Sequence, residues 1–494
     1  MERITRREAL GRGVALAGVA ATGGLLAACG GSSAGDDPPR VVIVGAGLAG
    51  LTCAHRLRQA GIPSTVYEAQ QRVGGRCWST RSVVPGLVGE DGGELIDTGH
   101  HRIRALAAEL GLPLEDRLAA ARASDSRDAV VIGGRPRSRA AVTAGYADMV
   151  RRLEAEAARA GAPRAGRATA SARALDERSA RDWLDANLPG GSGSLLGRAV
   201  SAELTGSFGL DPQDLSAFAL VQNYTGPDDG PEERFHVRGG NDQIPRKLAA
   251  GLPEASLRVG SAMQGLRRRG AGGYELLLDR YRNPVRADVI VLTQPLPALR
   301  TADLSASGLP ATHRRMIAEL GMGTNAKLLL GLRRRPPAFG GWSGDLLADD
   351  PMLQTWDSSL AQQPSVRQGL LSLFTGGAAA RRLAVTGAHG PAPPALIREA
   401  LATLEPIAPG ISHAVTGEAW LDAWHRDHWT GGSYAAFRPG QVTRFWGLLE
   451  RPVAGIVFAG EHTSTRAQGY LEGAVESGER AARQVRARLR AGVR

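Results

Sequence analysis

Gly45-Ala-Gly47-Leu-Ala-Gly50 stands directly after the apolar, β-branched run Arg40-Val-Val-Ile-Val44. Together they outline a site for a dinucleotide. Gly45 permits the tight turn, Gly47 lets the backbone approach a pyrophosphate, and Gly50 lets the next helix pack closely on the strand. The helix expected over residues 48–60 would aim unpaired N–H groups and the positive end of its dipole at the phosphates. A second expected strand, Ser64-Thr-Val-Tyr67, ends at Glu68, whose carboxylate is placed to accept hydrogen bonds from a ribose diol. A lone GxGxxG says little, but strand, glycines, helix, strand and acid in this order within about 30 residues say much more. Glu68 alone does not separate NAD from FAD. Lys327 is the other candidate. Only two of the 60 basic residues are Lys, namely Lys247 and Lys327, so this chain keeps Lys at two positions among many Arg. Lys327 sits in the apolar run Asn325-Ala-Lys327-Leu-Leu-Leu330, where an unpaired buried cation would be costly. The plainer reading is a strand-end Lys reaching solvent.

The segment Glu68-Ala-Gln-Gln-Arg72-Val-Gly74-Gly75-Arg76 resembles the flavin-containing amine oxidases, which include monoamine, polyamine and L-amino acid oxidases. In that family the run wraps the FAD pyrophosphate and approaches the flavin. The resemblance recurs at Gly92-Gly93-Glu94-Leu95-Ile96-Asp97, at residues 101–112, 237–245 and 287–292, at Arg258-Val259, and at residues 457–463 and 469–478. It implies FAD, held by Gly45, Gly47, Gly50, Glu68, Gly75, Arg76, the backbone at Val259, Gly460 and Glu461. It also implies that Lys327 holds a water against flavin N5. Residues 424–434 resemble the block that carries the covalent flavin in monoamine oxidases, where a Cys precedes the Tyr. Here that residue is Ser433, and a hydroxyl cannot form the thioether, so non-covalent FAD is expected; Cys77 is a weaker candidate for a different linkage. Tyr434 and Tyr470 match the two aromatic residues that flank the substrate nitrogen. Facing rings suit a neutral amine and favour the developing iminium. With Lys327 they form the expected catalytic set, and Trp429 is expected in the cage wall.

L-Amino acid oxidases of this family clamp the substrate carboxylate with an Arg soon after the Gly-Gly turn. This chain has Glu94-Leu95 there, so Glu94 is expected to attract a cationic amine if it faces the cavity. Arg102 and Arg104 could replace the clamp, though a helix surface suits them better. The resemblance thus implies oxidative deamination of a small amine, with dioxygen as acceptor and hydrogen peroxide as product. The alternatives are an L-amino acid oxidase, a specialised-metabolite tailoring oxidase, a dehydrogenase with another acceptor, and a flavoprotein that binds a ligand without turnover.

The elements that must position these residues read as an α/β fold. A Rossmann-like FAD-binding domain is expected to be discontinuous, over residues 40–95, 236–300 and 426–494. An α+β substrate domain fills residues 96–235 and 301–425. Residues 140–187 read as helices broken at Gly161-Ala-Pro163, while residues 340–344 and 391–394 read as loops.

With 43% hydrophobic and 22% charged residues, the chain can bury a large core. No run of 18 apolar residues appears, which argues against a membrane-spanning segment. Three Cys do not make a disulfide scaffold. The formal charge is +11, but the Arg residues are scattered apart from 267–269 and 333–335, so no nucleic acid is expected as a partner. No His spacing suggests a metal site. Residues 1–28 read as an address: Arg6-Arg7, Leu10 and the apolar run from Gly13 to Ala28 resemble a twin-arginine export signal. Leu26-Ala27-Ala28-Cys29 resembles a lipobox, with Cys29 as the acylated residue and residues 29–39 as a tether, so the membrane would be met through a lipid anchor only. The expected location is the cell surface or periplasm. The sequence leaves the oligomeric state open, a homodimer being one option.

Overall fold

A computed structural model describes residues 39–225, 232–270, 272–350, 354–383, 385 and 387–492. The twin-arginine-like segment and Cys29 lie outside the described residues.

Five strands form a parallel sheet in the order Ile456–Phe458, Val289–Leu292, Val41–Val44, Ser64–Tyr67 and Leu257–Arg258. They come from widely separated parts of the chain. The central strand Val41–Val44 is buried throughout, as its unbroken apolar run requires. Its alternation feeds two cores. Val41, Ile43, Val289, Val291 and Val457 face one side with helices Leu48–Gln59 and Leu471–Arg490. Val42, Val44, Ile290, Leu292 and Phe458 face the other. There they meet an antiparallel meander of Met263–Arg268, Tyr274–Leu278 and Val285–Ala287. This layering is the Rossmann-like arrangement expected from the sequence.

A second sheet of seven strands runs His389–Pro391, Val415–Ala423, Ala326–Leu332, Gly369–Thr375, Gln354–Asp357, Trp342–Ala348 and Arg127–Val131. All its neighbours are antiparallel except the last pair. In Ala326–Leu332 the period-2 alternation sends Leu328, Leu330 and Leu332 against helix Pro394–Leu404. Leu329 goes to the opposite face, against Val83, Val84 and Leu87. Lys327 shares the face of Leu329 and looks toward the first domain.

Helices Tyr146–Ala160, Ala170–Asp176 and Ala180–Asn187 occupy the Ala/Arg-rich stretch, and the break falls at Gly161, whose φ is +68°. Two expected loops are corrected. Strand Trp342–Ala348 already begins at Trp342, whose ring is buried, and Gly344 serves close strand approach, since a Cβ there would lie 2.9 Å from Asp357. Residues 391–394 split between a strand end and the start of a helix, where a proline at the first turn is well tolerated.

Candidate active site

One cavity with about 1500 Å³ of empty space, counting its open mouth, lies between the two sheets. Its first wall is the glycine turn. At Gly45 φ is +107° and a Cβ would lie 2.4 Å from Thr293 Oγ1. At Gly50 a Cβ would lie 2.0 Å from the Gly45 carbonyl oxygen. Only glycine fits either place. Gly50 does not itself line the cavity; it lets the helix sit this close to the turn. Gly47 differs: the nearest atom to a Cβ there is the Gly74 carbonyl oxygen at 4.0 Å, so the space belongs to the cavity. No side chain caps the first turn of helix Leu48–Gln59, and Leu48 and Ala49 line the cavity. Those unpaired N–H groups are a donor set suited to phosphate. Glu68 lines the same end; it accepts from Ala46 N at 2.7 Å and Gln70 N at 2.9 Å, and burial pushes its pKa up. These residues fit the pyrophosphate and ribose of FAD.

Gly75, Arg76, Gly460 and Glu461 line the middle of the cavity. Arg76 Nη1 donates to Glu461 Oε1 at 2.9 Å and to the Ser433 carbonyl at 2.7 Å. Glu461 also accepts from Ala435 N and Gly469 N. The pair therefore ties the first flavin block to the last. Arg72 turns away, with its guanidinium 4.2 Å from the Trp78 ring centroid and a bond to the Gly75 carbonyl. Val259 follows the edge strand and is 38% exposed; the cavity wall there is formed by Ser261 and Met263. Ser433 is buried, and its hydroxyl donates to Asn325 Oδ1 at 2.6 Å. Cys77 lines the cavity with its thiol 3.4 Å from the Asn241 carbonyl, and burial holds it well above the usual thiol range.

Lys327 is 4% exposed, so the reading of a solvent-reaching Lys is wrong. Its Nζ donates to Glu90 O at 2.8 Å, Gly92 O at 3.1 Å and Glu94 Oε2 at 2.9 Å. An ammonium has three donors, and these contacts use all three. The Trp356 ring centroid lies 5.3 Å from Nζ. Glu94 is the main correction. It was expected to meet the substrate, but it lies behind the cavity wall. Its second oxygen accepts from Trp356 Nε1 at 2.9 Å and Ser358 Oγ at 3.1 Å. Burial alone would raise its pKa; the Lys327 charge, Arg117 and these hydrogen bonds overcome that and hold it below the usual carboxylate range. A cation far away in the chain claims this carboxylate, and nothing in the local sequence announces that.

Tyr434, Tyr470 and Trp429 all line the cavity, with Phe374 and Trp424 completing an aromatic end. Tyr434 OH donates to the Gly206 carbonyl at 2.9 Å. Tyr470 is 38% exposed and meets the His100 ring edge-on at 4.9 Å. Arg102 instead pairs with Glu479, and Arg104 donates to the Thr98 carbonyl; neither lines the cavity. Sequence reasoning missed Phe374 and Asp91, which have no motif of their own.

A glycine-turn nucleotide site opening onto an aromatic chamber defines the class, a flavoenzyme of Rossmann type. The family described as flavin containing amine oxidoreductase matches residues 48–486, and the chain belongs to that family. AofH of Mycobacterium tuberculosis, named as a putative flavin-containing monoamine oxidase, is 29% identical over 91% of this chain and 97% of its own length. An L-amino acid dehydrogenase of Synechocystis is 25% identical over 90% of this chain and 94% of its own. Cyclohexylamine oxidase from Brevibacterium oxydans superposes with a TM-score of 0.80 at 21% identity, over 92% of this chain and all of that one, which shows a shared fold.

Proposed function

We propose that the protein oxidises a small amine to an imine, which water converts to an aldehyde or ketone plus ammonia or an amine. Hydrogen peroxide is the second product. The single observation behind an amine rather than an amino acid is the state of the cavity's cations. Among the described residues only Arg76 and Lys327 bring a full positive charge to the wall, and each is paired with a buried acid. No free cation remains among them to hold a substrate carboxylate, whereas the aromatic end suits a neutral amine. FAD, held by the glycine turn, Glu68 and the Arg76–Glu461 pair, would supply the two-electron redox chemistry between amine and dioxygen.

The chain's own residues orient and exclude. Tyr434 and Tyr470 flank the substrate nitrogen, and Trp429 and Phe374 keep water from the reacting carbon. Lys327 fixes the 90–92 backbone beside them; of its three bonds, the one to Gly92 O is the longest and the one it would give up to hold a water. Ser433 offers no thiol, so FAD is held without a covalent bond. The residues 1–29 signature supports export and a lipid anchor at Cys29.

The test is anaerobic bleaching of the visible flavin absorbance by separate pools of monoamines, diamines and polyamines, and L-amino acids. Fast bleaching by an amine pool is expected. Bleaching by amino acids alone would overturn the reading of the paired cations.

A further inference from the structure

Asp91 is a cavity-lining carboxyl that the reaction described so far does not use. It is 1% exposed, and neither of its oxygens accepts a hydrogen bond from a donor. It faces the Asp422 carboxyl. Asp422 Oδ1 accepts from His389 Nδ1 at 2.7 Å and Trp420 Nε1 at 3.3 Å, while its Oδ2 has no donor either. Two buried carboxyls that meet with no donor between them satisfy each other only when a proton lies between them.

The sheet explains how they meet. Its register sets His389, Asp422, Lys327 and Phe374 directly opposite one another on four adjacent strands, so their side chains form one row on the face toward the cavity. The row also has an outlet. His389 Nε2 reaches Asp427 Oδ2 at 3.2 Å, and Asp427 Oδ1 accepts from the backbone of Trp429 and Thr430, both in the cavity wall. The Trp78 and Trp424 rings meet the His389 ring edge-on at 5.0 and 4.7 Å and screen it.

We propose that Asp91 and Asp422 form a proton-storing pair, linked through His389 to Asp427, that keeps the proton shed by the amine until dioxygen needs it. The proposal rests on the amine-oxidising reading of this same cavity. The balance is simple. A neutral amine becomes an imine when its α carbon gives up a hydride equivalent and its nitrogen gives up a proton. The C–H and one N–H bond break, a C=N double bond forms, and the organic molecule stays neutral. Dioxygen becomes hydrogen peroxide by gaining the same hydride equivalent and the same proton. One proton must therefore be held between the two half-reactions, and the shared-proton pair has one vacant site for it.

The charges around the pair favour storage. Glu90, Glu94 and Asp427 crowd it on the acid side, with Lys327, His389 and Arg72 as the facing cations. Burial and mutual repulsion raise Asp91, and burial raises Asp422. Negative charge gathered in the cavity on reduction pushes the same way.

The experiment is photochemical reduction of the FAD-loaded protein without any amine, with proton uptake followed by a pH indicator in weak buffer. Wild type is expected to take up about two protons per electron pair near neutral pH, and Asp91→Asn about one, by proton linkage. Asp422→Asn gives the same drop and carries the test if Asp91→Asn does not retain flavin. Equal uptake by wild type and both variants overturns the proposal; a purely structural role would not change this count. If uptake falls in the variants but no amine bleaches the flavin, the proton store stands and the amine reading fails. If amines bleach it and uptake is unchanged, the reverse holds.

Discussion

The two walls of the cavity are built in opposite ways. The nucleotide wall is backbone. Its turn is set by glycines, its donors are helix-end N–H groups, and its one acid, Glu68, is held by N–H groups of residues 22 and 2 positions away. The reaction wall is side chain. Lys327 meets Glu94 across 233 residues and Trp356 meets Glu94 across 262. Backbone walls tolerate changes of side-chain chemistry but no added Cβ at the close contacts. Ionic walls tolerate small changes of shape but no loss of a partner.

The largest effect, complete loss of the flavin, should come from adding atoms to the first wall. In Gly50→Val the Cβ would lie 2.0 Å from a backbone oxygen that cannot move without opening the turn. The cost is about 3 kcal/mol or more, and the purified protein should carry essentially no flavin. Gly47→Ala meets nothing closer than 4.0 Å in the protein. It should keep the melting temperature of the flavin-free protein and lose only flavin affinity. The ratio of flavin to protein absorbance and the melting temperature read both effects. A Gly50→Val protein that binds flavin normally would break the comparison.

The next effect belongs to the second wall. Lys327→Met leaves Glu94 buried without its cation, which costs about 3–5 kcal/mol. Adding Glu94→Gln removes the stranded charge and should restore most of that stability, while turnover stays low because the cavity still lacks its cation. Denaturant unfolding beside steady-state rates separates the two roles. If single and double variants unfold together, the pair carries no structural weight.

This contrast also marks what the sequence could reveal. The parallel sheet and its glycine turn were legible because their logic is local: an apolar run, a spacing of three glycines, an acid at the next strand's end. Lys327 was legible through its rarity within an apolar run. Its partners were not, because they depend on how strand Ala326–Leu332 lies against residues 90–94, and no local pattern encodes that. Glu94 was misread for this reason: its neighbours in sequence suggested a substrate contact, and its neighbours in space are Lys327, Trp356 and Ser358. Asp422 carried a usable signal, an acid between Leu421 and Ala423 at the buried end of its strand, but its meaning needed His389 and Asp91. The loops misread at residues 340–344 and 391–394 fail in the same way, since glycine and proline there serve strand approach and a helix start.

The smallest effect sharpens the comparison by pH. Glu90 belongs to the reaction wall, and burial pushes its pKa from 4.5 to about 8, against the hydrogen bonds from Ser79 and Asn241. The folded chain therefore keeps a proton that the unfolded chain loses above 4.5. Its contribution is full below that value and declines as pH rises toward 8, at up to about 1.4 kcal/mol per pH unit for one proton. His389 acts in the same sense. Burial lowers its pKa, but bonds to Asp422 and Asp427 outweigh that and raise it, so its stabilisation is present below 6.5 and fades as pH rises further. Glu94, held low, acts only in the acid range, where its contribution is lost as pH falls. Glu68 and Glu472 shift upward like Glu90, so the wild-type slope is a sum and the difference between proteins is the useful readout. Glu90→Gln copies the protonated acid. It should be more stable than wild type at pH 8 and converge with it near pH 5. Melting temperatures of the holoprotein across this range measure it. A variant that loses stability with pH as steeply as wild type would show that Glu90 is not among the groups that tie this fold to pH.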